Sequence, residues 1–255
     1  MRIISFCADG VVQAADNGFY DWAFSQDADI ICIQDLREQE YNLQADRYHP
    51  EGYYGYFLDC PNGNINGVAI YVRDIPKAIM TGLGFGELDI EARYIQADFE
   101  NLSIGCLLAP NTCGQDEKAE DQKQEFMDQL HAHFEKISHK RRDYIICGSW
   151  FSAPQDKDLQ NADAIADAYP ALTSEQDWFA SVHHDLGYLD AFRQVNNDED
   201  EFTWWPDGDR ASNGWRSDIQ LVSKDISRTV EYGASYTAQQ FSSHAPVIID
   251  YDIEL

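Results

Sequence analysis

The chain has 255 residues, 44% hydrophobic and 13% aromatic, enough to bury a full core in a single domain spanning 1–255. Eighteen Lys and Arg against forty-five Asp and Glu give a formal charge of −27, which argues against tight, unassisted binding of bare phosphates. No run of eighteen apolar residues occurs, so neither a signal peptide nor a membrane span is expected. The six cysteines form no C-x-x-C pair, as suits buried thiols in a reducing cytoplasm better than a zinc site or a disulfide framework.

In chain order, apolar runs predict strands at Ile3–Phe6, Asp29–Ile33, Tyr53–Leu58, Gly67–Val72, Arg93–Phe99, Leu102–Leu108, Asp143–Cys147, Asp218–Val222 and Val247–Tyr251. Most are continuous rather than alternating, the pattern of strands covered on both faces. Apolar residues returning every three and four positions predict helices at Val11–Ser25, Lys118–Ser138 and Ser174–Leu186, the last with Ser174 as its N-cap. Hairpin-like pairs over 53–72 and 93–108 suggest two sheets packed face to face with helices outside. The polar stretches Gln115–Glu125 and Asn196–Glu201 read as solvated faces, because they lack the spaced oxygens and glycine of a calcium loop. Lys136, Lys140, Arg141 and Arg142 form the one basic cluster, at the end of the long helix; dipole compensation explains it without a ligand.

Ten ordered blocks carry a resemblance: IISFCADG, DADIICIQD, YHPEGYYGYF, NGVAIY, ARYIQADF, DYIICGSW, LGYLDAF, FTWWPDG, GWRSDIQLV and FSSHAPVIIDYD. Across nearly the whole chain these resemble the exonuclease III and abasic-site endonuclease family. The resemblance implies a four-layer α/β sandwich and, in active members, a Mg²⁺ or Mn²⁺ site that hydrolyses phosphodiesters. Carboxylates there hold the metal, a buried Asp acts on water, Asn and His stabilise the charged intermediate, and a Tyr assists.

Several of those positions are altered. Cys7 stands for a functional Asn, Leu108 for the Tyr, Ser149 and Phe151 for the Asp and Asn of the G-D-x-N block, and Ser243 for the Asp of S-D-H. Asp35 replaces the metal-holding Glu, and Asp9, Asp218 and His244 remain. Loss of one general base costs roughly 10²- to 10⁴-fold, so no catalytic residue and no cofactor are expected. Asp218 and His244 read as a hydrogen-bonded remnant, and Asp9 with Asp35 as at most a vestigial metal site. A Cys7 nucleophile has no base beside it in sequence.

One branch of the family, the catabolite repression control (Crc) proteins, is similar at CGS, CLLAP, HKRRDYIICGS, FTWWPD and FSSHAPVIIDYD, although its members normally keep Asn where this chain has Cys7. That resemblance implies a cytoplasmic, non-enzymatic post-transcriptional regulator that joins the RNA chaperone Hfq on A-rich messages in a ternary complex, with a homodimer conceivable inside the assembly. Under it, Lys77, Lys136, Lys140, Arg141 and Arg142 become RNA- or partner-binding candidates. The alternative is a divergent metal-dependent phosphodiesterase: an abasic-site endonuclease or 3'-5' exonuclease.

Overall fold

The structure, a computed structural model, describes residues 1–113 and 117–255. Among the described residues twelve strands run in chain order: β1 (Arg2–Cys7), β2 (Ile30–Gln34), β3 (Tyr54–Leu58), β4 (Val68–Val72), β5 (Ala78–Thr81), β6 (Tyr94–Asp98), β7 (Leu102–Leu108), β8 (Asp143–Ser149), β9 (Leu189–Asp190), β10 (Asp218–Val222), β11 (Val230–Ser235) and β12 (Val247–Tyr251). They form two six-stranded sheets, β11-β12-β1-β2-β4-β3 and β5-β6-β7-β8-β10-β9. Each holds one parallel pair near its centre, β1 with β2 and β7 with β8; every other pairing is antiparallel.

The helices are α1 (Val11–Asp16), α2 (Phe19–Ser25), α3 (Glu117–Ser138), α4 (Ala162–Ala168), α5 (Leu172–His184) and α6 (Phe192–Val195). The parallel pairs require crossovers, supplied by α1–α2 between β1 and β2 and by α3 between β7 and β8. The central strands are buried on both faces, which explains their unbroken apolar runs. Ile3, Ile30 and Ile70 point between the sheets toward Ile104, Ile145 and Cys147, whereas Ile4, Phe6 and Ile31 pack under α1–α2 and Ile146 and Ile219 under α3 and α5. This is the four-layer α/β sandwich expected.

The differences have local causes. The helix expected over 11–25 breaks at Gly18, whose φ of 88° is left-handed, while the Asn17 amide donates to the Phe241 carbonyl at 2.9 Å and fixes the bend. Ser174 is not an N-cap: α5 begins at Leu172, and the Ser174 hydroxyl donates back to the Ala171 carbonyl. Unpredicted β5, β9 and β11 are sheet-edge strands, short or partly exposed, without a continuous apolar run. Of the polar stretch 115–125, residues 115–116 lie outside the described residues; the rest belongs to α3. The loop over 196–201 is closed on itself, with Arg193 donating to the carbonyls of Asn196 and Asp198. Among the described residues all six cysteines are free, and no helix is long and apolar enough to cross a membrane.

Candidate functional site

The ends of β1, β2, β8 and β10 meet at one edge of the sandwich. The parallel register pairs Cys7 with Gln34, so the turns that follow run side by side. The Ala8 and Gly10 amides donate to the Gln34 and Asp35 carbonyls at 2.8 and 3.0 Å, and the Arg37 amide to Asn66 at 2.8 Å. Asp9, Asp35 and Arg37 are all left-handed, with φ of 50, 57 and 49°. Such conformations cost non-glycine residues of order 1–3 kcal/mol each and persist where the surroundings over-determine them. The outcome is a bridge: Arg37 Nη1 lies 2.6 Å from Asp9 Oδ1 and Nη2 lies 2.7 Å from Asp35 Oδ2. The second Asp9 oxygen accepts the Ser243 hydroxyl at 3.0 Å. Burial works against the Arg37 charge, but Asp35 and then Asp9 more than offset it, leaving the guanidinium above the ordinary arginine value.

Across the cleft, β10 pairs Asp218 with Ser149. His244 Nδ1 sits 2.9 Å from Asp218 Oδ2, both side chains fully buried, while the Asp218 amide donates to Thr203 Oγ1 at 3.1 Å. The sequence expectation of an Asp218–His244 pair is met. Trp204 stacks on the imidazole with centroids 5.6 Å apart and planes 15° apart, and the Phe151 ring meets it edge-on, also at 5.6 Å. Phe151 is itself left-handed, φ 48°, and its carbonyl accepts Lys123 Nζ at 2.9 Å. Lys123 is buried in α3 and pairs with Glu175 of α5 at 2.8 Å; Tyr169 donates to the same carboxylate at 2.6 Å. Burial lowers the Lys123 pKa, with Glu175 opposing it.

Ser149 is fully buried, and its hydroxyl lies against the Cys7 thiol, whose pKa it lowers slightly against the larger effect of burial. Leu108 is buried beside the cleft. Cys7 is fully buried, and burial, then Asp35 and Asp218, push its thiol well above the usual value, the opposite of an activated nucleophile. What remains open is a cavity of about 540 Å³ lined by Asp35, Arg37, Asn66, Arg93, Leu108 and Phe151. The donor set fits a divalent cation poorly. Asp9 and Asp35 already share a guanidinium, Asp218 is held by His244, and among the described residues no three His, Cys, Asp or Glu side chains gather as a metal site.

Two of the expected partner-binding residues are committed elsewhere. Arg142 donates to the carbonyls of Phe99, Glu100 and Leu102 and to Ser103 Oγ, tying the β6–β7 turn, and Lys77 pairs with Glu100. Lys136, Lys140 and Arg141 are exposed. Lys140, Arg141 and Arg142 border another cavity, of about 350 Å³, together with Lys224, a cation that sequence alone did not single out. Arg37 and Lys123 also escaped sequence reasoning. For Arg37 the only available signal was a basic residue two positions after Asp35, and Lys123 resembles any other charge on a solvated helix.

The model of the Endonuclease/Exonuclease/phosphatase family matches residues 12–238. The chain belongs to this family. An exodeoxyribonuclease of Bacillus subtilis is 28% identical over 97% of this chain and 98% of its own length. A DNA-(apurinic or apyrimidinic site) endonuclease of Dictyostelium discoideum is 26% identical, covering 99% of this chain and 71% of its own. Among solved structures, an AP endonuclease from Archaeoglobus fulgidus superposes with a TM-score of 0.87 at 19% identity, covering 99% of this chain and all of that one. The 3' phosphatase NExo from Neisseria gives 0.84 at 21%, with the same coverage. These two structures share the family's fold.

Proposed function

We propose that this family member works by binding and does not hydrolyse phosphodiesters. The observation that supports it is the end of β8. Ser149 stands opposite Asp218 without an acidic group to act on water, and Phe151 closes over His244 where a transferred phosphate needs polar contacts. Hydrolysis in water needs a positioned base or an equivalent activator, and neither Ser149 nor the deeply buried Cys7 supplies one.

The finer reading is a cytoplasmic regulator of the Crc kind, joining Hfq on A-rich messages. It is supported by the sequence similarity at CGS, CLLAP, HKRRDYIICGS and FSSHAPVIIDYD. An acidic chain of charge −27 suits a ternary complex in which the chaperone neutralises most of the RNA phosphates. Lys136, Lys140 and Arg141 are the exposed cations assigned to that contact. The alternative, a divergent metal-dependent nuclease, is supported by the relatives in Bacillus subtilis and Dictyostelium discoideum, which are named as nucleases.

The test mixes the chain with Hfq and an A-rich RNA in Mg²⁺. The proposal expects a ternary complex from which the RNA is recovered uncut. RNA shortened with time supports the nuclease reading, and uncut RNA with no complex removes the Hfq assignment.

A further inference from the structure

The Asp9–Arg37–Asp35 bridge has the geometry of a cation site with its cation built in. The guanidinium touches one oxygen of each carboxylate at 2.6 and 2.7 Å, within the range of strong charge-assisted hydrogen bonds. All three residues hold left-handed backbones, and the adjoining amide bonds between the β1 and β2 turns lock them in place. The main chain that presents the three residues is thus held in place, and the bridge is closed by side chains at the mouth of the cleft.

We propose that Arg37 takes the place of the divalent cation that the fold family implies, and that it keeps such cations out of this site. The inference deepens the non-hydrolytic reading and rests on it. A guanidinium supplies one permanent positive charge to the two carboxylates, but it offers no coordination position for water and so cannot activate one as a Lewis acid does. A divalent ion entering here has to break two short charge-assisted bonds and expel a cation whose charge these same aspartates stabilise.

Removing the guanidinium should uncover a pair of carboxylates, with the Ser243 hydroxyl beside Asp9, suited to a hard divalent ion that keeps several waters. The probe is Mn²⁺, titrated by calorimetry at about 0.15 M salt to screen the acidic surface, and followed in parallel by the melting temperature. Wild type and Asp35→Asn should show the same weak background. Arg37→Ala should gain one site at least tenfold tighter than that background and melt higher with Mn²⁺, and Arg37→Ala with Asp35→Asn should lose both effects.

A Mn²⁺ site in wild type that Asp35→Asn abolishes overturns the proposal. So does a folded Arg37→Ala that gains none. Should alanine fail to fold without metal, Arg37→Gln is the replacement variant, and failure of both to fold with Mn²⁺ present also overturns it, because the ion should replace the lost charge. The readout is cation binding, so a failed cation site leaves the RNA recovery experiment to judge hydrolysis separately.

Discussion

Two arginines each stand between a pair of aspartates, and the contrast between them separates what holds the fold from what occupies the site. Arg216 is 1% exposed; its Nε lies 2.7 Å from Asp158 Oδ1 and its Nη2 2.5 Å from Asp190 Oδ2, with Arg193 also reaching Asp158 at 2.6 Å. Arg37 is 48% exposed, at the mouth of the cleft. Burial depresses the Arg216 charge, but Asp190 and Asp158 more than restore it. Asp158 resists its own burial because Arg216, then Arg193, hold its pKa below the usual carboxylate range. The same ion-pair chemistry thus holds the fold where water is excluded and fills the cleft mouth where it is not.

The largest expected effect breaks the inner bridge. Arg216→Met leaves Asp158 and Asp190 without their shared cation and should lose about 3–5 kcal/mol in urea unfolding. Arg37→Ala should lose about 1–2 kcal/mol, since half-exposed Arg37 leaves carboxylates that water can reach. Equal losses at the two arginines would erase the contrast.

Within the basic cluster, Arg142→Ala should cost about 1–3 kcal/mol, because four acceptors of the β6–β7 turn lose their donor. Arg141→Ala should leave the melting temperature unchanged and weaken the complex with Hfq and RNA. A thermal scan and a gel shift on the two single variants separate fold from contact.

The smallest effect is a pH slope. Burial, then Lys140 and Lys136, push His133 from 6.5 down to about 4. The unfolded chain therefore takes up this proton first. The stability that neutral His133 contributes is whole above pH 6.5 and is lost as the pH falls toward 4. His133→Leu should flatten that part of the profile; an unchanged slope assigns it to other groups.

The core strands were legible because they are buried on both faces: Leu102–Leu108, Asp218–Val222 and Val247–Tyr251 have the bounds that their apolar runs predict. Edge strands such as Ala78–Thr81 lack that signal, and the break at Gly18 hides inside an apolar spacing that runs on through it. In the site, the hydrogen-bonded pairing of Asp218 with His244 could be read from the surviving family-type residues. The Arg37 bridge could not, because Asp9 becomes its neighbour only when β1 and β2 lie parallel. Lys123 was hidden for a related reason: only the packing of α3 on α5 and on the turn after β8 shows that this one lysine of a charged helix points inward.

Whether the cleft cuts phosphodiesters is decided by single-turnover nicking of a duplex carrying one abasic site, with the protein in excess and Mn²⁺ present, beside Asp218→Asn and His244→Ala. With Phe151 set against His244 and no base at Ser149, the strands should stay intact with all three proteins. Nicking by wild type that disappears in both variants would refute the binding role and make this chain a working nuclease.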